Sequence, residues 1–327
     1  MVVSSVTCSA PGSTMVMGEH AVLHGYPALA AAIDLRLAVT LCKQDNDEIY
    51  IDSAMGQWQA SVAQTLAVSV NNQPLRFVLA GLQYFSQSLA GSSGLRITIE
   101  SAIDPTMGFA SSAALTVALV GALRAWLQLD RARYVVLNDA VSIIRQVQGG
   151  GSGADAAASC YGGLVYYDAS LVCARALLPA STASLPALRL IYTGYKTPTP
   201  EVIALVRQWA QKDLHRYTQI YARMGELVSH AEAAIEQANW QALAQAMNDY
   251  QQQMVALGVC DDGTQAAVDA AWKQVGIMSA DSAVAVKISG SGLGDCILGL
   301  SVPKIQDWPH AQFTVDISAQ GLQWFES

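Results

Sequence analysis

Four short segments of this chain combine titratable side chains with clustered glycines and small residues. The first runs from Ala10 to Gly25 and sets Glu19 and His20 between Gly18 and Gly25. Glycine lets a backbone approach a ligand closely, so the pattern suits an acid and an imidazole presented into a cleft. A hairpin with an exposed acid and a hydrogen-bonded histidine would use the same residues. The second, Asp104 to Leu115, passes through Gly108, Phe109, Ala110, Ser111, Ser112 and Ala113 into a long apolar run. Small residues ahead of a helix expose several N–H groups at the positive end of its dipole, an anion site suited to phosphate. Ser111 or Ser112 can cap that helix, and the Ser112 hydroxyl can join the oxygen shell of Mg²⁺, which shares its ligands with substrate phosphates.

The third segment, Gln148 to Ser159, places Gly149, Gly150, Gly151 and Gly153 before a small-residue helix with Asp155 in its first turn. The helix dipole favours a carboxylate there. Four glycines exceed the need of a cap and suit a wall that something must approach. The fourth, Lys287 to Leu298, holds Gly290, Gly292 and Gly294 in a turn between strand-like runs, a pattern that a bulged hairpin shares. No Gly-x-x-x-x-Gly-Lys-Ser/Thr run is present, which excludes a standard P-loop enzyme.

The elements that must position these segments can be read from periodicity. Val2–Cys8, Leu35–Cys42 and Glu48–Asp52 read as strands, with the glycine-rich passage from Pro11 to Gly25 as a break between the first two. Phe77–Leu89, Ser111–Leu129 and Val135–Val147 show helical spacing, and Leu95–Ala102 alternates as a strand. A short strand pair, Leu164–Tyr167 and Leu171–Leu177, precedes Pro179–Pro186, which reads as a linker. Beyond it come a strand at Leu188–Tyr192, helices at Pro200–Trp209, Tyr217–Gln237, Trp240–Leu257 and Gln265–Val275, and strands at Val284–Ser289, Cys296–Leu300 and Phe313–Ile317. The reading is α+β with two domains, 1–180 and 181–327.

Composition narrows the function classes. The 327 residues are 52% hydrophobic and only 13% charged, which excludes disorder. Eighteen Lys and Arg against 26 Asp and Glu leave no basic surplus for nucleic acid. The longest apolar stretches fall short of the roughly 18–20 residues of a membrane span, and the first residues show no secretory signal, so a cytoplasmic location is expected. The six cysteines lack Cys-x-x-Cys spacing and read as free thiols.

Taken together and in order, the four segments resemble the GHMP kinase family from residue 10 to about residue 300. The resemblance implies an N-terminal domain containing a left-handed βαβ element, a C-terminal α+β domain, and an active site in the cleft between them. It implies ATP and Mg²⁺ as cofactors, with Gly108, Phe109, Ala110, Ser111, Ser112 and Ala113 around the ATP phosphates and Ser112 at the metal. Asp155 matches the catalytic aspartate that faces the accepting hydroxyl. Glu19, His20 and Thr199 fall on the substrate side, and Gly290, Gly292 and Gly294 match the supporting loop. Gly18 to Gly25 is most similar to mevalonate kinases, which implies mevalonate as the small-molecule partner and phosphomevalonate as the product. Gln148–Ser159 and Gly294-Asp295-Cys296 are more like phosphomevalonate kinases, and a ligand sensor without kinase activity is a third reading. The family resemblance also allows a homodimer. Two positions depart from the mevalonate kinase pattern: Ser13 stands where a lysine is usual, and Ile144 where a Mg²⁺-binding glutamate is usual. Lys196 and Arg145, next to motif segments, are candidate replacements for the missing cation.

Overall fold

The computed structural model describes residues 4–71, 73–103, 109–177, 186–276 and 283–326. Gly108 and all of the expected linker except Pro186 lie outside them. The chain opens with β1 (Ser5–Met17), a 3₁₀ turn (Ala21–His24), β2 (Pro27–Lys43), β3 (Glu48–Ser53) and β4 (Gly56–Ser61). Helices α1 (Val62–Ala67), α2 (Arg76–Tyr84) and α3 (Ser86–Leu89) lead to β5 (Leu95–Ser101), α4 (Ser111–Trp126), α5 (Arg133–Gln148) and α6 (Ala154–Tyr161). Then follow β6 (Leu164–Asp168), β7 (Cys173–Leu177), β8 (Leu188–Lys196), α7 (Thr199–Lys212), α8 (Leu214–Glu236), α9 (Trp240–Leu257) and α10 (Asp262–Val275). Strands β9 (Ala285–Ser289), β10 (Gly294–Leu300), β11 (Gln312–Val315) and β12 (Gln323–Glu326) close the chain.

Packing divides the molecule into one unit of Met1–Ser13, Ala32–Gly163 and Ser318–Ser327, and a second of Thr14–Ala31 and Leu164–Ile317. Chain order suggests a single cut near 180; packing instead assigns β6, β7 and the stretch around His20 to the second unit. The reason is strand pairing, since Pro27–Ala31 at the start of β2 pairs antiparallel with β6.

In the first unit, β5 pairs antiparallel with the end of β2 and parallel with β3, which pairs in turn with β4; β12 lies antiparallel to β1. Strict alternation in β5 buries Leu95, Ile97 and Ile99 on one face. Helix α4 is apolar nearly all round, buried from Ala113 to Leu123, and packs against α2, α5 and α6. A helix of that character belongs at the centre of a layer rather than on a surface. Its one charged residue, Arg124, pairs with Asp139 of α5, which also accepts a 2.8 Å hydrogen bond from the Tyr84 hydroxyl of α2.

The second unit contains an antiparallel sheet in the order β11-β8-β10-β9. Ala267, Val268 and Ala271 of α10 pack onto Ile191, Val286 and Ile297 of that sheet. Helices α8 and α9 pack together, and α9 also packs on β9. Among the described residues, no helix is long and apolar enough to cross a membrane.

One element departs from the sequence reading in a way that matters for the site. Strand β1 continues unbroken through Pro11–Thr14 instead of ending in a glycine loop. A side chain at Gly12 would put its Cβ 2.8 Å from the Phe109 carbonyl oxygen, so this glycine serves a close approach within a strand.

Candidate active site

In the first unit, Asp155 is the second residue of α6, whose N-cap is Gly153 in the left-handed region. The Ser13 hydroxyl, fully buried on β1, donates to Asp155 Oδ1 at 2.9 Å. Ser13 N–H donates to the Phe109 carbonyl at 3.2 Å, which ties the same strand to the residue ahead of α4. Neither Ser111 nor Ser112 caps α4, contrary to the capping expected from sequence. The N-cap is Ala110, held at φ 51° with no side-chain cap. The first N–H groups of a helix have no partner within it, and an uncapped N-terminus offers them to an anion.

The two candidate replacement cations are both committed elsewhere. Lys196 pairs with Asp295 at 2.6 Å, within the second unit. Arg145, in the last turn of α5, donates from Nε to the Gly151 carbonyl at 3.0 Å and from Nη2 to the Ser152 carbonyl at 3.1 Å. It braces the loop that delivers Asp155. With Asp155 in the role the family resemblance implies, Arg145→Met should lower kcat roughly tenfold with the acceptor KM nearly constant, because a small displacement of a group that faces the reaction is costly. Steady-state kinetics beside a thermal melt measure both, the melt being expected to lose about 1–3 kcal/mol for two hydrogen bonds. Ile144 is buried on α5 and supplies no oxygen ligand. Among the described residues no group of three or more His, Cys, Asp or Glu side chains forms a metal cluster.

In the second unit, the turn after β1 is held in an uncommon conformation. Gly18 sits at φ 111°, and a Cβ there would lie 2.4 Å from that of Ala28. Its glycine answers packing against β2 rather than approach to a ligand. His20 has φ 59° and ψ −54°, a costly conformation for a side-chain-bearing residue. Three contacts hold it. The Tyr250 hydroxyl donates to the Glu19 carbonyl at 2.8 Å, Lys287 Nζ donates to Glu19 Oε1 at 2.6 Å, and His20 Nε2 meets the Ser291 carbonyl at 2.8 Å. Lys287 and Glu19 are both buried, and Lys287 also donates to the Ile288 carbonyl. The sequence places Glu19 on the substrate; its carboxylate is instead turned to an interior lysine, beneath His20.

A carbonyl only accepts, so His20 carries its proton on Nε2 and leaves Nδ1 as an acceptor. Burial holds its pKa below the ordinary imidazole value, against the opposing pull of the Ser291 carbonyl and Glu19. A histidine depressed in the fold adds stability that is complete above its unfolded pKa of about 6.5 and is lost as pH falls through the folded value. Urea midpoints should thus decline between about pH 7 and pH 5. His24 is lowered in the same direction by burial and by Arg207. His20→Gln should flatten that decline in part, and adding His24→Gln should flatten it further.

The fourth segment supports the same turn. Gly292 has φ 81° and would place a Cβ 2.5 Å from the Val259 carbonyl, while Gly290 and Gly294 also lie in the left-handed region. Ser291, between these glycines, offers its carbonyl to His20 and its hydroxyl to Thr199 Oγ1 at 3.5 Å. Ser291 thus brings together two of the sequence-derived substrate-side residues. Four of the nine described non-glycine residues with positive φ, His20, Ala110, Leu293 and Asp295, fall in the motif segments, which concentrates backbone strain there. A cavity of ≈ 390 Å³ opens beside His20, walled by His24, Tyr221 and the α7 residues Ile203, Val206 and Arg207.

The model of the GHMP kinase N-terminal domain matches residues 76–163, and that of the GHMP kinase C-terminal domain matches 231–307. The chain belongs to the GHMP kinase family. This GHMP kinase also matches a galactokinase galactose-binding signature over residues 3–43. It is 27% identical over 316 residues to a mevalonate kinase of Pyrococcus abyssi, covering 91% of this chain and 89% of that protein. The crystal structure of the Methanococcus jannaschii mevalonate kinase superposes with a TM-score of 0.77 at 18% identity, covering 95% of this chain and 98% of the other. A Lactococcus lactis galactokinase complexed with galactose gives 0.76 at 14% identity, covering 98% and 95%. At those identities the solved structures establish the shared fold, and the family establishes a small-molecule kinase.

Sequence reading of this GHMP kinase missed Lys287, Tyr250 and Arg207. Lys287 had one available signal, a lone lysine inside the apolar run Val284–Ile288, whose strand turns out to be buried on both faces. Tyr250 and Arg207 sit on amphipathic helices where such residues usually face solvent, and nothing local distinguishes them.

Proposed function

We propose that this GHMP kinase transfers the γ-phosphoryl group of ATP to the primary hydroxyl of mevalonate, giving phosphomevalonate and ADP. The observation that carries the reading is the Ser13–Asp155 hydrogen bond at the head of α6, with the uncapped N-terminus of α4 on a helix packed against α6. It supports the reading by setting a hydrogen-bonded carboxylate and an uncapped helix end in one unit. The relatives named mevalonate kinase, aligned over nine-tenths of the chain, support the choice of acceptor.

Phosphoryl transfer passes through a loose transition state that asks mainly for positioning and charge neutralisation. The acceptor oxygen forms its bond to phosphorus as the bond to the bridging oxygen of ADP breaks, and the hydroxyl proton passes to Asp155. Ser13 orients that carboxylate without neutralising it. The N–H groups of Ser111 and Ser112 face the phosphates, while that of Ala113 closes the first turn on the Ala110 carbonyl at 2.9 Å. Mg²⁺ fits the donor set: Ser112 and Asp155 offer two hard oxygens, and this ion is commonly held by one or two carboxylates plus substrate phosphates and water. When bound, it supplies neutralisation of phosphate charge. His20 accepts a hydrogen bond from the acceptor through Nδ1, and Thr199 contributes a hydroxyl beside it. Gly290, Gly292 and Gly294 shape the turn that presents Ser291.

Incubation with ATP and Mg²⁺ and, in parallel, mevalonate, phosphomevalonate or galactose tests the proposal, with ADP release coupled to a readout and products identified by mass. Turnover of mevalonate is expected. Turnover of phosphomevalonate or galactose instead would replace the acceptor, and silence with all three would overturn the reading.

A further inference from the structure

The cavity beside His20 has a composition that bears on what it holds. One face of α7 forms its wall: Ile203, Val206, Arg207 and Ala210 recur at helical spacing downstream of Thr199. Leu23 and Leu214 add further apolar surface. Among the described residues no aspartate, glutamate or asparagine lines it, and Gln211 supplies the one amide. A sugar buried against such walls would leave several hydroxyls unpaired, each costly to desolvate. The groups away from His20 that can carry positive charge are Arg207 and His24, whose ring stacks on Tyr221 at 4.0 Å. Arg207 is exposed, and among the described residues no carboxylate pairs with it. Burial and Arg207 both keep His24 below the ordinary imidazole pKa, so Arg207 is the standing positive charge of the pair at neutral pH.

The axial order along α7 gives this pocket a direction. Thr199 opens the helix and touches Ser291, which also holds His20. Arg207 lies eight residues on, about 12 Å along the axis at ~1.5 Å per residue. Side chains on a helix lean toward its N-terminus, a tendency that favours an Arg207 guanidinium reaching back toward the Thr199 end. His20 at one end, tied through Ser291 to Thr199 outside the lining, an aliphatic wall, and the Arg207 guanidinium match a ligand with a hydroxyl at one end and an anion at the other.

We infer that Arg207 binds the carboxylate of the acceptor, and that this pocket selects short aliphatic hydroxy acids over sugars. The inference rests on the reading of His20 as an acceptor-binding residue. A guanidinium offers a fork that matches a carboxylate in two parallel hydrogen bonds, which a lysine cannot reproduce. It also accounts for a chain that carries a galactose-binding signature on its first strands while its cavity offers little to a ring of hydroxyls.

The test compares wild type, Arg207→Met and Arg207→Lys on mevalonate and on the triol in which mevalonate's carboxylate is reduced to an alcohol. Wild type should prefer mevalonate over the triol. Arg207→Met should raise the mevalonate KM roughly ten- to a hundredfold, the range of one charge-assisted hydrogen-bonded contact. The KM for ATP and the kinetics of the triol should stay as they are, and Arg207→Lys should fall between. Because Arg207 is exposed, its variants should melt with wild type, and the unchanged triol kinetics guard against a folding artefact. A mevalonate KM unmoved by Arg207→Met, or a wild type indifferent to the loss of the carboxylate, overturns the inference while leaving mevalonate kinase activity standing. A wild type that phosphorylates galactose and not mevalonate overturns both.

Discussion

Asp155→Asn should reduce kcat by roughly 10²–10⁴-fold, the contribution typical of a positioned group that accepts a proton in the transition state. The substitution is nearly isosteric. The Ser13 hydroxyl that donates to Oδ1 at 2.9 Å can still donate to an amide oxygen, and the loop is still braced by Arg145. The stability cost is confined to a lost charge in the first turn of α6, about 0.3–1 kcal/mol. The variant should therefore fold, bind ATP with near-normal affinity and fail in turnover. Single-turnover phosphate transfer, run beside a thermal melt, separates these quantities. An asparagine variant with undiminished kcat would remove Asp155 from the reaction and leave the α6 head as a structural cap. Ser13→Ala should cost much less, because a neutral hydroxyl orients the carboxylate without altering its charge, and the carboxylate keeps its place at the helix start.

Much of this fold could be read before any coordinates, and the parts that could not share a cause. Helix α4 declares itself by an apolar run too short for a membrane and too long for a strand, and the sheet of the second unit by its short β-branched stretches. The place of Asp155 in the first turn of a helix was legible, because four glycines followed by small residues mark the turn into α6. Periodicity is local, however, and the missed features are not. Nothing in residues 14–31 announces that they pack with a sheet and helices that begin at residue 164. The glycines of the first segment invite a loop, yet Gly12 serves a strand passing the Phe109 carbonyl and Gly18 serves contact with Ala28. A serine ahead of a helix suggests a cap, but Ala110 takes that place in a left-handed conformation that sequence propensity disfavours for alanine. Such local conflicts gather where the surrounding structure over-determines the backbone, and here those places coincide with the motif segments.

The same reasoning gives the second large effect to a residue that the motifs do not assign. Lys287→Met should destabilise the protein by about 3–5 kcal/mol, because removing one partner of a buried pair leaves the other charge uncompensated. Lys287 and Glu19 are both buried, Glu19 Oε2 already has no hydrogen-bond partner among the described residues, and the Lys287 ammonium also lies 5.5 Å from the Tyr250 ring centre. Against a total stability of about 5–15 kcal/mol such a loss is large enough to empty the native state on modest warming. The double variant Glu19→Gln with Lys287→Met should recover most of it, since no isolated charge then remains in the interior. Denaturant midpoints for the two single variants and the double yield the coupling directly. Function should follow a different course from stability. The pair holds the turn that keeps His20 at φ 59°, so the double variant, though folded, should show a raised acceptor KM with the ATP KM unchanged. A double variant with wild-type kinetics would mean that Tyr250 and Ser291 suffice to hold His20, and that the buried pair serves folding alone.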